Sequence, residues 1–328
     1  MSYSCIKRLN SLLILYIISA YCLEHSEQST ESGYYPTIGI LSTPIEKRDA
    51  QSNSKYSMFI SGTYVKHIES AGIRPVPIWN NSTYKEIDLI MSKINGLYLI
   101  GGKTLLVAKN DDGSLKYSKY MKKVIYMIKK AIKKNDNGEY FSIFGTCLGL
   151  EVLFIYAANE YILESFNSTR YRSNLIFSED APFSKILKNA DPKMLNFMAK
   201  ANITFENHGK GISPATYLKY PNLQKMFKPI AYSRDRQGNL NIVLAEGNKY
   251  PFYGLMFHPE KPAYEFFFST ISHDFRAIEI GQYFARFFAE ELKKNPKRFI
   301  YEEEYIEYSL QKYDTIYLHN PYEIVYLA

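Results

Sequence analysis

Cys147 is the residue in this sequence best placed for nucleophilic chemistry. It lies in the centre of Gly145-Thr146-Cys147-Leu148-Gly149, after the apolar run 140–144 and before a helical pattern of apolar residues. The two glycines permit a sharp strand-to-helix turn, as in a nucleophile elbow. The helix N-terminus would favour the thiolate, and the Leu148 N–H would bind an oxyanion. A buried structural cysteine is the alternative, and the spaced glycines favour the nucleophile.

A cysteine nucleophile needs a base, and His258 is the residue placed to supply one. His258-Pro259-Glu260 follows a predicted strand over 252–257. If the extended conformation continues, period two places His258 and Glu260 on the same face, where the carboxylate orients the ring. A structural histidine is the alternative, and the position at a strand end favours catalysis. His208, in a predicted loop, is a further candidate for the substrate site.

The sequence lacks the motifs of several other enzyme classes. It contains no His-Glu-x-x-His and no paired-cysteine cluster, which argues against a zinc hydrolase. It contains neither a Walker A motif nor Gly-x-Gly-x-x-Gly, so nucleotide binding of those kinds fits poorly as well. The net charge of +7 is dispersed, and the lysines over 122–134 have the spacing of a solvated helix face. We therefore expect no nucleic-acid partner.

Alternating elements predict the scaffold that positions these residues. We expect strands over 37–41, 74–78, 96–100, 140–144, 241–245 and 252–257, and helices over 60–71, 87–94, 117–134, 187–200 and 282–293. Strands that alternate with helices predict an α/β fold with a mostly parallel sheet and helices on both faces. Cys147 and Gly101-Gly102 both follow strands, at the sheet edge where such folds build their sites. The two prolines in 74–78 predict an edge strand.

The first 22 residues have the pattern of a secretory signal. Lys7 and Arg8 precede a short apolar run over 12–18. A membrane anchor is the alternative, but the run is short for a bilayer span, so we expect no stable anchor. Removal of the signal leaves Cys147 as essentially the only cysteine, and a lone cysteine in an oxidising compartment is reactive or buried. Sequons at Asn80, Asn81, Asn167 and Asn202 agree with this route, with Asn167 and Asn202 expected at the surface.

The order cysteine, histidine, glutamate resembles the class I glutamine amidotransferase-like superfamily. Within it, the sequence is most similar to the gamma-glutamyl hydrolase (folylpolyglutamate hydrolase) family. The resemblance covers about residues 36 to 328, and its most family-specific stretch runs from Tyr64 to Gly72. It implies one flavodoxin-like domain over 23–328, with a Tyr-rich extension over about 296–328.

The resemblance also implies roles for particular residues. Cys147 would be the nucleophile, His258 the acid–base group and Glu260 its orienting partner. The N–H groups of Leu148 and of Gly101 or Gly102 would form the oxyanion hole, and Glu151 and His208 would lie in the substrate site. One departure is Ile100, where family members often have proline before the glycine pair.

The implied reaction is hydrolysis of gamma-glutamyl bonds in folate poly-gamma-glutamates through a thioester, and it needs no cofactor and no metal. The implied location is the secretory pathway, with delivery to a lysosome or vacuole or to the outside of the cell. The resemblance is also compatible with a homodimer. Two alternatives stay open at this point. One is a glutaminase-type amidotransferase with a synthase partner, and the other is a catalytically inactive binding or storage homologue.

Overall fold

A mixed eight-stranded sheet is central to the residues that the computed structural model describes, which are 35–45, 56–109, 115–299, 301–319 and 322–328. The strands of the chain are β1 (Thr37–Leu41), β2 (Thr43–Pro44), β3 (Met58–Ser61), β4 (Arg74–Ile78), β5 (Gly96–Leu99), β6 (Val107–Lys109), β7 (Leu115–Tyr117), β8 (Ser142–Thr146), β9 (Glu164–Ser173), β10 (Ile176–Phe177), β11 (Thr204–Gly211), β12 (Phe227–Arg234), β13 (Leu240–Gly247), β14 (Phe252–Leu255), β15 (Thr315–His319) and β16 (Tyr322–Leu327). The helices are α1 (Gly62–Glu69), α2 (Tyr84–Met91), α3 (Lys119–Asp136), α4 (Leu148–Ala158), α5 (Pro192–Lys200), α6 (Pro214–Lys219), α7 (Pro221–Met226), α8 (Lys261–Tyr264), α9 (Phe275–Lys293) and α10 (Glu302–Tyr308).

The strand order of the main sheet is β10-β12-β13-β14-β8-β5-β1-β4. The strands from β14 to β4 run parallel, and β10, β12 and β13 extend the sheet antiparallel. The expected α/β class with a mostly parallel sheet is confirmed. The strand β4 lies at the edge, as its prolines predict, because an edge strand tolerates residues without an N–H.

Helices cover both faces of the strand β8. The Phe144 ring stacks on Phe288 of α9, with ring centroids 4.0 Å apart. The next residue, Gly145, points to the opposite face, where the backbone of Gly149 in α4 lies against it. The apolar side chains of β8 are therefore enclosed between α4 and α9, and the end of β8 is held firmly in place.

A second sheet joins distant parts of the chain. Its order is β15-β16-β3-β2, and Tyr326 pairs with Ile60. The helix predicted from Ile60 is wrong at its start, because Ile60 lies in β3 and α1 begins at Gly62. The carbonyl of Ile324 lies so close to Gly62 that a Cβ there would be 2.7 Å from it. The Tyr-rich extension thus packs directly against the start of α1.

The residues from Pro36 to Ala328 form one unit by contacts between their Cα atoms. The signal over 1–22 lies outside the described residues, and so do the residues 23–34 that follow it. None of the helices in the described ranges is both long enough and apolar enough to cross a membrane.

Candidate active site

Cys147 occupies the turn between β8 and α4 in a strained backbone conformation. Its φ is 53° and its ψ is −108°, a backbone conformation that residues other than glycine rarely adopt. Its N–H donates to the carbonyl of Leu255 at 2.7 Å, while its carbonyl accepts from the N–H groups of Leu150 and Glu151. Hydrogen bonds on both sides hold the strained residue, so the turn is the elbow that the sequence predicts.

The two glycines of the elbow are required by close backbone contacts. A Cβ on Gly145 would lie 2.7 Å from the carbonyl group of Gly149. A Cβ on Gly149 would lie only 1.9 Å from the carbonyl oxygen of Leu99. The start of α4 therefore sits directly against both β8 and β5, and larger residues would push it away.

His258 lies beside Glu260, as predicted, but by a different geometry. Nδ1 of His258 is 2.8 Å from Oε1 of Glu260, and both side chains are buried. The extended conformation expected for this segment is wrong, because β14 ends at Leu255 and Glu260 is helical (φ −77°, ψ −18°) just before α8. A turn, rather than the alternation of a strand, brings the two side chains together.

The hydroxyl of Tyr64 joins this pair to the glycine loop. It lies 3.2 Å from Nδ1 of His258 and accepts the Gly101 N–H at 3.0 Å. The Gly101 N–H is therefore engaged, whereas Gly102 lines the pocket. Tyr64 was not predicted as a site residue, although it begins the most family-specific stretch of the sequence.

His258 stabilises the ionised form of Glu260. Burial acts to raise the pKa of Glu260, but the electrostatic interaction and hydrogen bond with His258 outweigh it and hold this pKa below its ordinary value. The other ring nitrogen of His258, Nε2, is buried and has no hydrogen-bond partner in the described parts of the chain. That nitrogen is therefore available to exchange a proton.

The surroundings of Cys147 favour the thiol, contrary to the thiolate that the helix N-terminus predicts. Burial raises the pKa of Cys147 well above its ordinary value, and the carboxylate of Glu151 raises it further. The Leu148 N–H acts in the opposite direction. Desolvation thus outweighs the helix terminus, and a base must remove the proton during the reaction.

The sulfur opens into a pocket of about 720 Å³. The predicted residues Gly102, Leu148, Glu151 and His208 line it together with Cys147. Burial raises the pKa of Glu151 to about 7, against the opposing charges of His208 and Lys210. Glu151 is therefore part of the pocket wall and not an exposed helix charge.

His208 lies on a strand, which corrects the predicted loop. It belongs to β11, which pairs with β9, and the pairing shifts register on both sides of His208. Its Nε2 is 3.1 Å from Oε2 of the fully buried Glu206. Glu206 is not among the site residues predicted from the sequence. The signal was present, since Glu206-Asn207-His208 has the same spacing as His258-Pro259-Glu260 in reverse.

The geometric elements of the site meet at one edge of the sheet. Strands β8 and β14 pair in parallel, with Thr146 opposite Leu255, so Cys147 and His258 follow neighbouring strands. The carboxylate of Glu260 is near enough to raise the pKa of Cys147. A thiol, a buried histidine–carboxylate pair and backbone N–H donors are the components of nucleophilic acyl transfer.

Comparisons with known proteins agree with this arrangement. The peptidase C26 family model matches residues 36–260. Gamma-glutamyl hydrolase B of Dictyostelium discoideum is 34% identical over 316 residues, which cover 95% of this chain and 86% of the relative. The gamma-glutamyl hydrolase of Rattus norvegicus is 32% identical over 80% of each chain. The gamma-glutamyl hydrolase of Homo sapiens is 30% identical over 94% of each chain.

Proposed function

This chain belongs to the peptidase C26 family, and from that premise we propose that it is a cysteine-dependent hydrolase of gamma-glutamyl amide bonds. The observation that carries the proposal is the strained Cys147 elbow, which follows the strand next to the one that leads to the buried pair of His258 and Glu260. The gamma-glutamyl hydrolases cover most of the chain at 30 to 34% identity. These relatives support the proposed substrate class, and the geometry of the site supports the proposed chemistry.

The first half of the reaction forms a thioester. The sulfur of Cys147 attacks the γ-carbonyl carbon while its proton passes to Nε2 of His258. The N–H groups of Leu148 and Gly102 bind the oxygen that becomes negative. When the C–N bond breaks, His258 returns the proton to the leaving nitrogen, and Glu260 holds the ring in place throughout.

The second half releases the acid. Water attacks the thioester carbon and gives a proton to Nε2 of His258, which passes it to the sulfur as the C–S bond breaks. The products are the regenerated Cys147 thiol and a γ-carboxylic acid, which loses its own proton to water and becomes a carboxylate. The raised pKa of Cys147 fits this scheme, because the thiol stays protonated until a substrate reaches the base.

We assign folate poly-gamma-glutamates as the substrate. Every residue of a γ-linked chain keeps a free α-carboxylate, so the substrate is a polyanion. Lys103, His208 and Lys210 line the pocket and can attract such charges. The pocket of about 720 Å³ is within the range of sites for small organic ligands.

The secretory route is also part of the proposal. Residues 1–22 would direct the chain into the secretory pathway, towards a lysosome or vacuole or out of the cell. The exported protein could be a homodimer. Asn81, Asn167 and Asn202 are exposed, as a glycan acceptor must be. Mass analysis of the secreted protein, with and without glycosidase, tests cleavage after the signal and glycan attachment together.

The activity is tested with purified protein and a folate polyglutamate, with products identified by mass. We expect the wild type to shorten the chain and Cys147→Ala to fold normally with no detectable cleavage. Free glutamine is assayed in parallel, since ammonia release from it would favour an amidotransferase. No cleavage of either substrate by the wild type from acidic to neutral pH would contradict the proposal and favour an inactive homologue.

A further inference from the structure

Glu206 and His208 form a buried pair in the wall of the pocket. The His208 ring is held at both nitrogens, with Nδ1 2.8 Å from the carbonyl oxygen of Lys210 and Nε2 3.1 Å from Oε2 of Glu206. The side chain of Glu206 has no exposure and that of His208 only 1%. The reaction scheme above uses neither Glu206 nor the proton between the two groups.

The hydrogen-bond inventory requires an additional proton in this pair. A backbone carbonyl can only accept, so Nδ1 of His208 carries a hydrogen. In a neutral ring Nε2 would then be an acceptor facing a carboxylate, which is an acceptor too. The contact is a hydrogen bond only if Nε2 is also protonated or if Glu206 is a neutral acid.

The surroundings favour the proton on His208. The hydroxyl of Ser173 donates to the other oxygen of Glu206 at 2.9 Å, which stabilises the carboxylate. Glu151 approaches from α4, and burial raises its pKa to about 7, although the interaction with His208 acts to lower it. Lys103, Lys210, Tyr161 and the Cys147 thiol also line the pocket. A charged ring that donates to Glu206 and to the carbonyl of Lys210 satisfies both hydrogen bonds that the structure gives it.

We propose that Glu206 is a positioning residue that keeps His208 doubly protonated, so that this wall of the pocket attracts the α-carboxylate of the glutamyl residue attacked by Cys147. Both ring N–H groups are engaged with the protein, so His208 acts on the substrate through its charge and not through a hydrogen bond. His208 lines the pocket and Glu206 does not, so the positive end of the buried pair faces the substrate, where screening by water is weak. The inference rests on the proposed function, because it concerns the same site.

Two substrates separate this role from a structural one. They are a γ-glutamyl amide with a free α-carboxylate and the same compound with an α-carboxamide. We expect the wild type to have a higher kcat/KM for the carboxylate than for the carboxamide. In Glu206→Gln the ratio of these two values should fall about tenfold, chiefly through KM for the carboxylate. A loss of packing alone would slow both substrates equally. Glu206→Asp, which keeps the charge, should retain most of the preference.

Two further measurements make the test decisive. Nitrogen NMR of the His208 ring at neutral pH should show hydrogen on both nitrogens in the wild type and on Nδ1 alone in Glu206→Gln. Glu246→Gln is the matched control, because Glu246 is equally buried but bonds to the Ile186 N–H and pairs with Lys228, and it does not line this pocket. This control should keep the wild-type preference.

The outcomes divide cleanly. An unchanged preference in Glu206→Gln, or a wild-type ring with hydrogen on Nδ1 alone, overturns the inference while leaving the hydrolase intact. If Glu206→Gln does not fold, His208→Gln provides the same comparison, and retention of the preference there overturns the inference as well. If the wild type cleaves neither substrate, the proposed function itself fails.

Discussion

Replacement of Gly149 by alanine should disturb both the stability and the chemistry of this protein. The added Cβ would lie 1.9 Å from the carbonyl oxygen of Leu99, whereas real Cβ contacts essentially never fall below 3.0 Å. The backbone must therefore move by about 1 Å, and neither side can yield cheaply. Gly149 lies in the first turn of α4, while Leu99 ends the strand β5 inside the sheet.

The expected cost follows from the rigidity of that contact. Insertion of a methyl group into a packed core costs about 1–3 kcal/mol, and a clash of backbone with backbone lies at the upper end, near about 3 kcal/mol. For a domain of this size, that lowers the melting temperature by about 6 °C. Because Leu99 leads into Gly101 and Gly102, a shift there also misplaces an oxyanion donor. Cleavage should fall at least about 100-fold.

The assay is urea and thermal unfolding, with Gly209→Ala as the matched control. A Cβ on Gly209 meets no heavy atom within 4 Å, and its φ is not in the left-handed region, so this control should unfold like the wild type. Equal stability of the two variants would refute the steric reasoning. A destabilised Gly149→Ala with normal activity would instead refute the link between the elbow and the glycine loop.

Two more predictions concern charge. Glu260→Gln should weaken the loss of stability that the protein suffers at acid pH. Burial acts to raise the pKa of Glu260, but His258 outweighs it, so folding lowers this pKa. The pair therefore stabilises the fold above the ordinary pKa of 4.5, and this contribution is lost as pH falls through the lowered pKa. Urea unfolding between pH 3 and 7 measures this, and an acid limb as steep as that of the wild type would contradict it. Glu151→Gln should speed iodoacetamide alkylation of Cys147 at pH 8. Burial and then the Glu151 charge raise the pKa of Cys147, so removal of that charge should lower this pKa. Each unit by which the pKa falls gives about tenfold more thiolate. The difference should vanish below about pH 6, where Glu151, with its pKa raised to about 7, is neutral; equal alkylation rates at pH 8 would exclude this coupling.

The sequence predicts the parallel part of the fold well because its signals are local. Strands such as Thr37–Leu41 and Arg74–Ile78 match the expected ranges, since short apolar runs bounded by turns identify buried strands. The elbow can also be predicted from the sequence, because the two glycines around Cys147 indicate a turn with no room for larger side chains. Ile60 was assigned to a helix because its local spacing fits one, whereas its pairing with Tyr326 depends on a segment far along the chain.

Charge states in the site are less accessible from sequence. The position of Cys147 at a helix N-terminus predicts a thiolate, but the outcome depends on how completely the fold buries it and on Glu151 in the first turn of α4. The contact between His258 and Glu260 was predicted correctly for a wrong reason, since a turn and not a strand creates it. Spacing can identify partners, but only the folded surroundings determine where their protons reside.

The pairing of β16 with β3 has a consequence for the synthesis of this protein. The hydroxyl of Tyr56, just before β3, donates at 2.6 Å to Asp314, which the ribosome adds 258 residues later. At about 5–20 residues per second, β3 and the start of α1 wait roughly 13–50 s for the strand that covers them. Tyr64, in the first turn of α1, contacts His258, which is added 194 residues after it and before β16 is made. The sheet that packs against the start of α1 is therefore completed only when translation is nearly finished.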